Sequence, residues 1–291
     1  MSTLSARRAL RVAGIGAVAV LALTWIPRAN GQLPGGQMGS SVPNQTQIGQ
    51  SGGTMNDDLQ YGTFGHGVER EQANAYQVFL RERDPARKIR LGNDFLKKYP
   101  KSALAERVDA ELMNVYRAKQ DWKNVYLCAD HALALQPDDV DVLTTVGWTI
   151  PHVYNPSDPD ADQELKTAET YAKHAIEVLA KMPKPAGLTD EQFAAAKAAR
   201  TFQAHSALGL VYFRRQDFSD SARELAESTK GNPRQDPTDL YVLGVDLQNL
   251  NRHSEAAAAF RGCSQLEGVL QNQCKQSAQV AQAQADKSKA R

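Results

Sequence analysis

The chain has 291 residues, with 34 Lys and Arg against 33 Asp and Glu for a net charge of +1, and 42% of its residues are hydrophobic. That length suits one or two domains with a real core, and so balanced a charge lacks the positive field that holds a nucleic-acid backbone; nucleic-acid binding is not expected. Three cysteines are too few for a disulfide-built miniprotein, and a mean hydropathy of −0.49 excludes a polytopic membrane protein.

Arg7, Arg8 and Arg11 precede an apolar run from Val12 to Ile26, after which come Pro27 and the small residues Ala29-Asn30-Gly31. A basic start, a short apolar stretch and a small-residue cleavage site make residues 1–31 a secretory signal peptide, cut after Gly31. The run is short against the roughly 20 residues of a membrane-spanning helix, so no membrane span is expected after cleavage. The protein is therefore expected outside the cytoplasm, in the periplasm or beyond the cell; the alternative is an uncleaved segment anchored in the inner membrane. Cleavage removes four arginines and no acidic residue, leaving 30 basic against 33 acidic residues and a net charge of −3.

Residues 32–67 hold nine glycines and six glutamines with almost no apolar periodicity. Such a composition buries too little surface to offset chain entropy, and the segment reads as a disordered leader. From about Val68 the texture changes to Ala, Leu, Lys, Glu and Gln at helical spacing. Asp84-Pro85, Asp158-Pro159 and Asp236-Pro237 each place an N-cap before a proline suited to the first helical position, and Thr189 with Gln192 forms a capping box. Stops are expected at Pro100, Pro137, Pro183 and Pro233. The fold class is all-α, built of short antiparallel helix pairs.

The helices repeat. Leu208, Gly209, Tyr212, Phe218, Ser221, Leu225 and Pro233 are answered 35 residues later by Leu243, Gly244, Leu247, His253, Ala256, Phe260 and Gly268. Leu112, Met113, Tyr116, Trp122, Val125, Ala129 and Pro137 keep the same internal spacing, and Tyr76, Phe79, Pro85 and Pro100 echo it more faintly. A further copy has Val146, Gly147 and Ile150, then Ala168, Ala172 and Ala175; Ile150 to Ala168 spans 18 residues where Tyr212 to Ser221 spans nine. A small residue such as Gly147, Gly209 or Gly244 lets two helices approach, and the bulky residue three later fills the space beside it. Each pair leaves an apolar face that only its neighbour covers.

This pattern resembles the tetratricopeptide repeat (TPR) family, over about five degenerate units in residues 68–268. Ser221 and Val125 stand where the family prefers Ala, and Asp109, His205 and Leu240 occupy its usual Trp position. The resemblance implies a right-handed superhelix, an α-solenoid whose concave groove is lined by the first helix of each pair. Residues 269–291 would form a capping helix and tail.

No catalytic residue, cofactor or metal ligand set is expected. Cys128-x-x-His131 offers two ligand types on one helical face, but zinc takes three or four. Asp158, Asp160, Asp162, Leu165 and Glu169 follow the spacing of a calcium loop, yet Gln163 replaces its turn glycine and Pro159 sits inside it. Acidic residues in a first helical turn are expected in any case, because they oppose the macrodipole. What remains is the groove. Projecting the first helices gives Arg107, Asn114, Arg117, Trp148, Gln203, Phe213 and Tyr241 as a peptide-binding face. Asn114 and Arg117 echo part of the carboxylate clamp of the family's chaperone-binding members, but Ala110, Thr145, Gln203 and Ala207 leave it incomplete.

Cys263 and Cys274 lie equidistant from a turn at Gly268, so in an antiparallel hairpin they face each other and are expected to form a disulfide. The functional expectation is an exported, non-enzymatic scaffold or adaptor that binds a protein or peptide segment in its groove. The alternative is a membrane-tethered structural subunit of a cell-envelope assembly complex.

Overall fold

A computed structural model describes residues 70–290, which hold eleven helices and no strand. The expected signal peptide and leader lie outside the described residues. Helices α1 (Arg70–Arg81) and α2 (Pro85–Lys98) form the first pair, α3 (Ala105–Ala118) and α4 (Trp122–Leu135) the second, α5 (Val140–Val153) and α6 (Ala161–Lys181) the third. They are followed by α7 (Asp190–Arg214) with α8 (Phe218–Thr229), then α9 (Pro237–Asn249) with α10 (His253–Ser264). The last helix, α11 (Gln271–Lys289), packs on α10 and closes the stack. The fold is an all-α, TPR-like stack of antiparallel pairs with a C-terminal capping helix.

Side-chain caps start most of these helices. Asp84, Asp121, Asp139, Asp217 and Asp236 each accept a backbone N–H of the following turn, and Thr189 and Gln192 form the full capping box. Asp158 does not cap a helix. Asn155 Nδ2 donates to its Oδ1 at 2.9 Å and holds it in a loop, so α6 begins three residues later at Ala161.

The repeat register is visible in the backbone. The turns between paired helices put Gln120, Gln216 and Asn251 at φ of 57°, 64° and 59°. In each, the next residue's N–H bonds a carbonyl five residues back: Asp121 to Tyr116 at 3.0 Å, Asp217 to Tyr212 at 2.9 Å and Arg252 to Leu247 at 2.8 Å. The offsets between these turns match those between the sequence copies.

The small residues sit where paired helices cross. A Cβ on Gly209 would lie 2.5 Å from Leu225 Cγ, and one on Gly244 would lie 2.5 Å from Phe260 Cε1. Leu225 and Phe260 are themselves 35 residues apart, so the same contact recurs with a different side chain. At Gly147 the fit is looser, with the carbonyl of Ala168 3.4 Å from such a Cβ.

The third unit departs twice from the repeat. One extension is the loop before α6, as the spacing indicated. The other was missed: Ala168 to Gly209 spans 41 residues where Ser221 to Gly244 spans 23. The extra length lies in the end of α6, the connection after it, and the first half of α7, which runs for 25 residues. Arg200 ties that half to the start of α5 through Asp141, at 2.6 and 3.0 Å.

Filling the crossing tests the register. Gly209→Leu should lower unfolding free energy by about 1–3 kcal/mol or more, measured by urea denaturation, because overpacking a close contact outweighs the gain in helix propensity. An unchanged or raised stability would mean that α7 and α8 do not touch there.

Candidate functional site on the first helices of the pairs

The projected face divides into two parts. Phe213 is a correction: it is only 5% exposed, packs in the core with Leu210, Leu225 and Val242, and lies tilted 6.5 Å from Phe218. It immediately precedes the tight turn at residues 215–217, and that turn brings α8 back over its ring. Tyr241 is half-buried and held within the fold: its ring lies 5.6 Å from Phe260, and its hydroxyl accepts from Gln273 Nε2 at 2.6 Å. Gln203 is half-buried on α7. This end of the face is largely consumed by packing between α7 and α11.

The α3–α5 end keeps polar atoms unspent. Asn114 Nδ2 donates to the Ala110 carbonyl at 3.2 Å, while its Oδ1 is buried without a partner. One turn later Arg117 has a buried, unpartnered Nε, and burial pushes its guanidinium below its usual range. Arg107 is half-buried two turns before Asn114 on the same helix.

On α5, Trp148 stacks on His152 with ring centroids 3.7 Å apart and packs against Leu208, Ala207 and Ala172. His152 Nδ1 lies 2.7 Å from the Trp148 carbonyl, which can only accept, so Nδ1 carries the proton. Burial pushes His152 down to about 4, which leaves a neutral ring with a buried Nε2 that has no hydrogen-bond partner. Beside it Arg214 donates twice to the Pro151 carbonyl, at 3.2 and 3.0 Å, and lies over the Tyr154 ring. Burial pushes Arg214 down to about 10. Among the described residues neither Arg117 nor Arg214 forms an ion pair with a carboxylate. Two cations held away from water with only neutral company attract an anionic or carbonyl-bearing group.

The acidic segment takes no part in such a site. Residues 161–169 are helical, and Glu169 is engaged by Lys173 at 2.6 Å, Arg215 at 2.5 Å and the Tyr212 hydroxyl at 3.4 Å. Among the described residues no three His, Cys, Asp or Glu side chains gather as a metal site. The Cys128 thiol is buried and pushed up to about 12, mainly by that burial. Cys263 and Cys274 are joined as a disulfide with Cα atoms 5.8 Å apart, linking α10 to α11.

Sequence reasoning missed two buried acids on α9, seven residues apart. Ser221 has one hydroxyl hydrogen, and the Gly209 carbonyl, 2.8 Å away, can only accept it. The same hydroxyl donates to Asp246 Oδ2, 2.5 Å away, so the two acceptors share its hydrogen. Ser228 likewise faces the Leu225 carbonyl at 3.0 Å and Asp239 at 2.8 Å, while Ser206 donates to the other oxygen of Asp239 at 2.8 Å. Burial raises both acids to about 8. The only sequence signal was a pair of carboxylates on an otherwise apolar helix.

No protein-family model matches the sequence, and no curated protein does. Among solved structures the chain is similar to the crystal structure of PilW, described as a widely conserved type IV pilus biogenesis factor. The TM-score is 0.47 at 16% identity, over 75% of this chain and 93% of that one. No helix among the described residues is long and apolar enough to cross a membrane.

The buried groups set a pH profile. Between about 4 and 8 the folded chain holds protons on Asp239 and Asp246 that the unfolded chain releases, so stability falls as pH rises through that window. The slope is up to about 1.4 kcal/mol per pH unit for each acid. His152 acts in the opposite direction below its unfolded value near 6.5, where only the unfolded chain takes up its proton. Two acids outweigh one histidine, so melting temperature should fall as pH rises from about 4.5 to 8, gently below about 6.5, where His152 opposes the acids, and more steeply above it. Asp246→Asn, which mimics the protonated acid in shape, should flatten the alkaline side; an unchanged profile would place the charge elsewhere.

Proposed function

We propose that the protein is an exported, non-enzymatic TPR-like scaffold that holds a segment of another polypeptide against the first helices of its second and third pairs. One observation carries this reading. Asn114 and Arg117, three residues apart on α3, present a buried acceptor and a buried cationic donor that nothing within the described residues satisfies. Leaving such groups unmade costs about 1–3 kcal/mol each, and more when the group is charged. An extended segment offers the complement, with backbone N–H for Asn114 and a carbonyl or carboxylate for Arg117. The neutral His152 ring adds an acceptor on α5, and Trp148 beneath it adds apolar contact area. Residue types of this kind, Arg and Trp, dominate binding energy at interfaces.

The location belongs to the same proposal. The basic, apolar and small-residue succession over 1–31 directs export, and a linked pair of cysteines persists in an oxidising compartment. The bacterial cell envelope is the setting this reading implies.

A photo-crosslinking residue tests it in living cells. Placed at half-buried Gln203 on α7, the helix packed against α5, it should give a discrete adduct that is lost on Arg117→Ala with the helical signal retained. The same residue at exposed Lys123 on α4 should give none. Equal labelling from both positions, or an adduct indifferent to Arg117, would refute the assignment.

A further inference from the structure

One register position, four residues before Gly147, Gly209, Gly244 and the matching Met113, is filled differently in successive units. Leu143 packs there against Leu133, Ala175 and Ala204, and Leu240 packs against Cys263, Leu270 and Cys274. His205 bridges to Glu224 at 2.8 Å. In the second unit the residue is Asp109, which is too short to fill the same space. Beside it opens a cleft of about 360 Å³ lined by Leu96, Pro100, Ala105, His131, Ala134 and Leu135.

Asp109 lines that cleft while only 3% exposed, and its buried Oδ1 has no hydrogen-bond partner. His131 Nδ1 stands 3.8 Å away, beyond hydrogen-bond reach, on a side chain turned mostly to water. The other titratable neighbours add little charge. Burial, with Asp139 adding to it, raises Glu106 to about 9 and keeps it protonated, and the Cys128 thiol stays neutral. Asp109 itself, raised by burial to about 6, is ionised at neutral pH. The slot therefore has one charged floor and apolar walls.

We infer that this cleft is a docking slot for a lysine side chain carried by an apolar segment of a partner polypeptide. A methylene stem suits the walls of Leu96, Ala134 and Leu135, and an ammonium is a point charge that one free carboxylate oxygen satisfies, whereas a guanidinium seeks both. The polypeptide source follows from the surface beside the slot. Leu127, His131, Ala134 and Leu135 share one face of α4, with Leu127 48% and Leu135 53% exposed. That stripe runs two turns from the cleft, and a free amine would leave it uncovered. The slot lies on α2, α4 and the start of α3, so it goes beyond the α3–α5 face proposed above and can hold a different part of a partner.

Amide shifts of the full-length ¹⁵N-labelled chain, titrated at pH 7.5 with acetyl-Leu-Lys-Leu-amide, test this. Saturable shifts centred on Asp109, His131 and Leu135 are expected. Binding should weaken at least about tenfold for the norleucine peptide, for free pentylamine, and on Asp109→Asn, as loss of a desolvated charge pair requires. Asp109→Leu, which copies the filling seen at Leu143 and Leu240, should abolish the shifts while preserving or raising the melting temperature. That variant decides the matter even where Asp109→Asn folds poorly. The inference falls if no saturable shift appears, if norleucine binds equally, or if pentylamine matches the peptide. It falls equally if Asp109→Leu leaves binding intact.

Discussion

Everything in this stack depends on two helices touching without a Cβ between them. At Gly209 and Gly244 the backbone of a first helix lies directly against Leu225 and Phe260 of the second, and neither leaves room for a further carbon. Gly92 makes the corresponding contact between successive pairs, where an added Cβ would lie 2.8 Å from a methyl of Leu112. Helices this close expose one wide apolar face per pair, which the next pair must cover. The cores accordingly run from unit to unit. One cluster continues from Tyr76 on α1 through Leu112 and Val146 to Leu165 on α6.

The same contacts explain what could be read from the residues alone. Glycine at a crossing, a bulky residue three later and a Pro or Gly stop are local properties of the chain, so they survive as spacing. The Thr189 capping box likewise marked the start of α7 correctly. The second extension was hidden because residues 190–202 are ordinary alanine-rich helix, and only counting from Ala168 to Gly209 exposes it. The inner face was legible in part. Asn114 and Arg117 keep buried polar atoms without partners, whereas the fate of Phe213 depended on how tightly α8 folds back, a tertiary matter that helical projection ignores. The protonated acids on α9 were invisible for a related reason: they are defined by the serines opposite them, on α7 and α8.

Those acids also show how this chain selects one docking of α9. An apolar face tolerates a slip of one turn at modest cost, but Asp239 and Asp246 must each meet a serine hydroxyl that hydrogen-bonds them. A slipped arrangement strands both in a dry interior, at several kcal/mol. The first half of α7, anchored by Arg200 to Asp141, shifts the spacing between the third and fourth pairs. The polar links across the next seam then restore a single register for the rest.

The far end of the molecule is built on a different basis. Helix α11 buries Cys274, Ala278, Ala281 and Ala285, side chains that remove little apolar area from water, and its outer surface carries glutamine and lysine. Adhesion of so thin a face to α10 is weak, and the covalent link near its start supplies what area does not. Without it, the seating of the last helix would rest on the buried contacts among Leu240, Leu270 and the alanines alone. The linked chain is closed at that end by a covalent bond, of a kind that persists in an oxidising compartment.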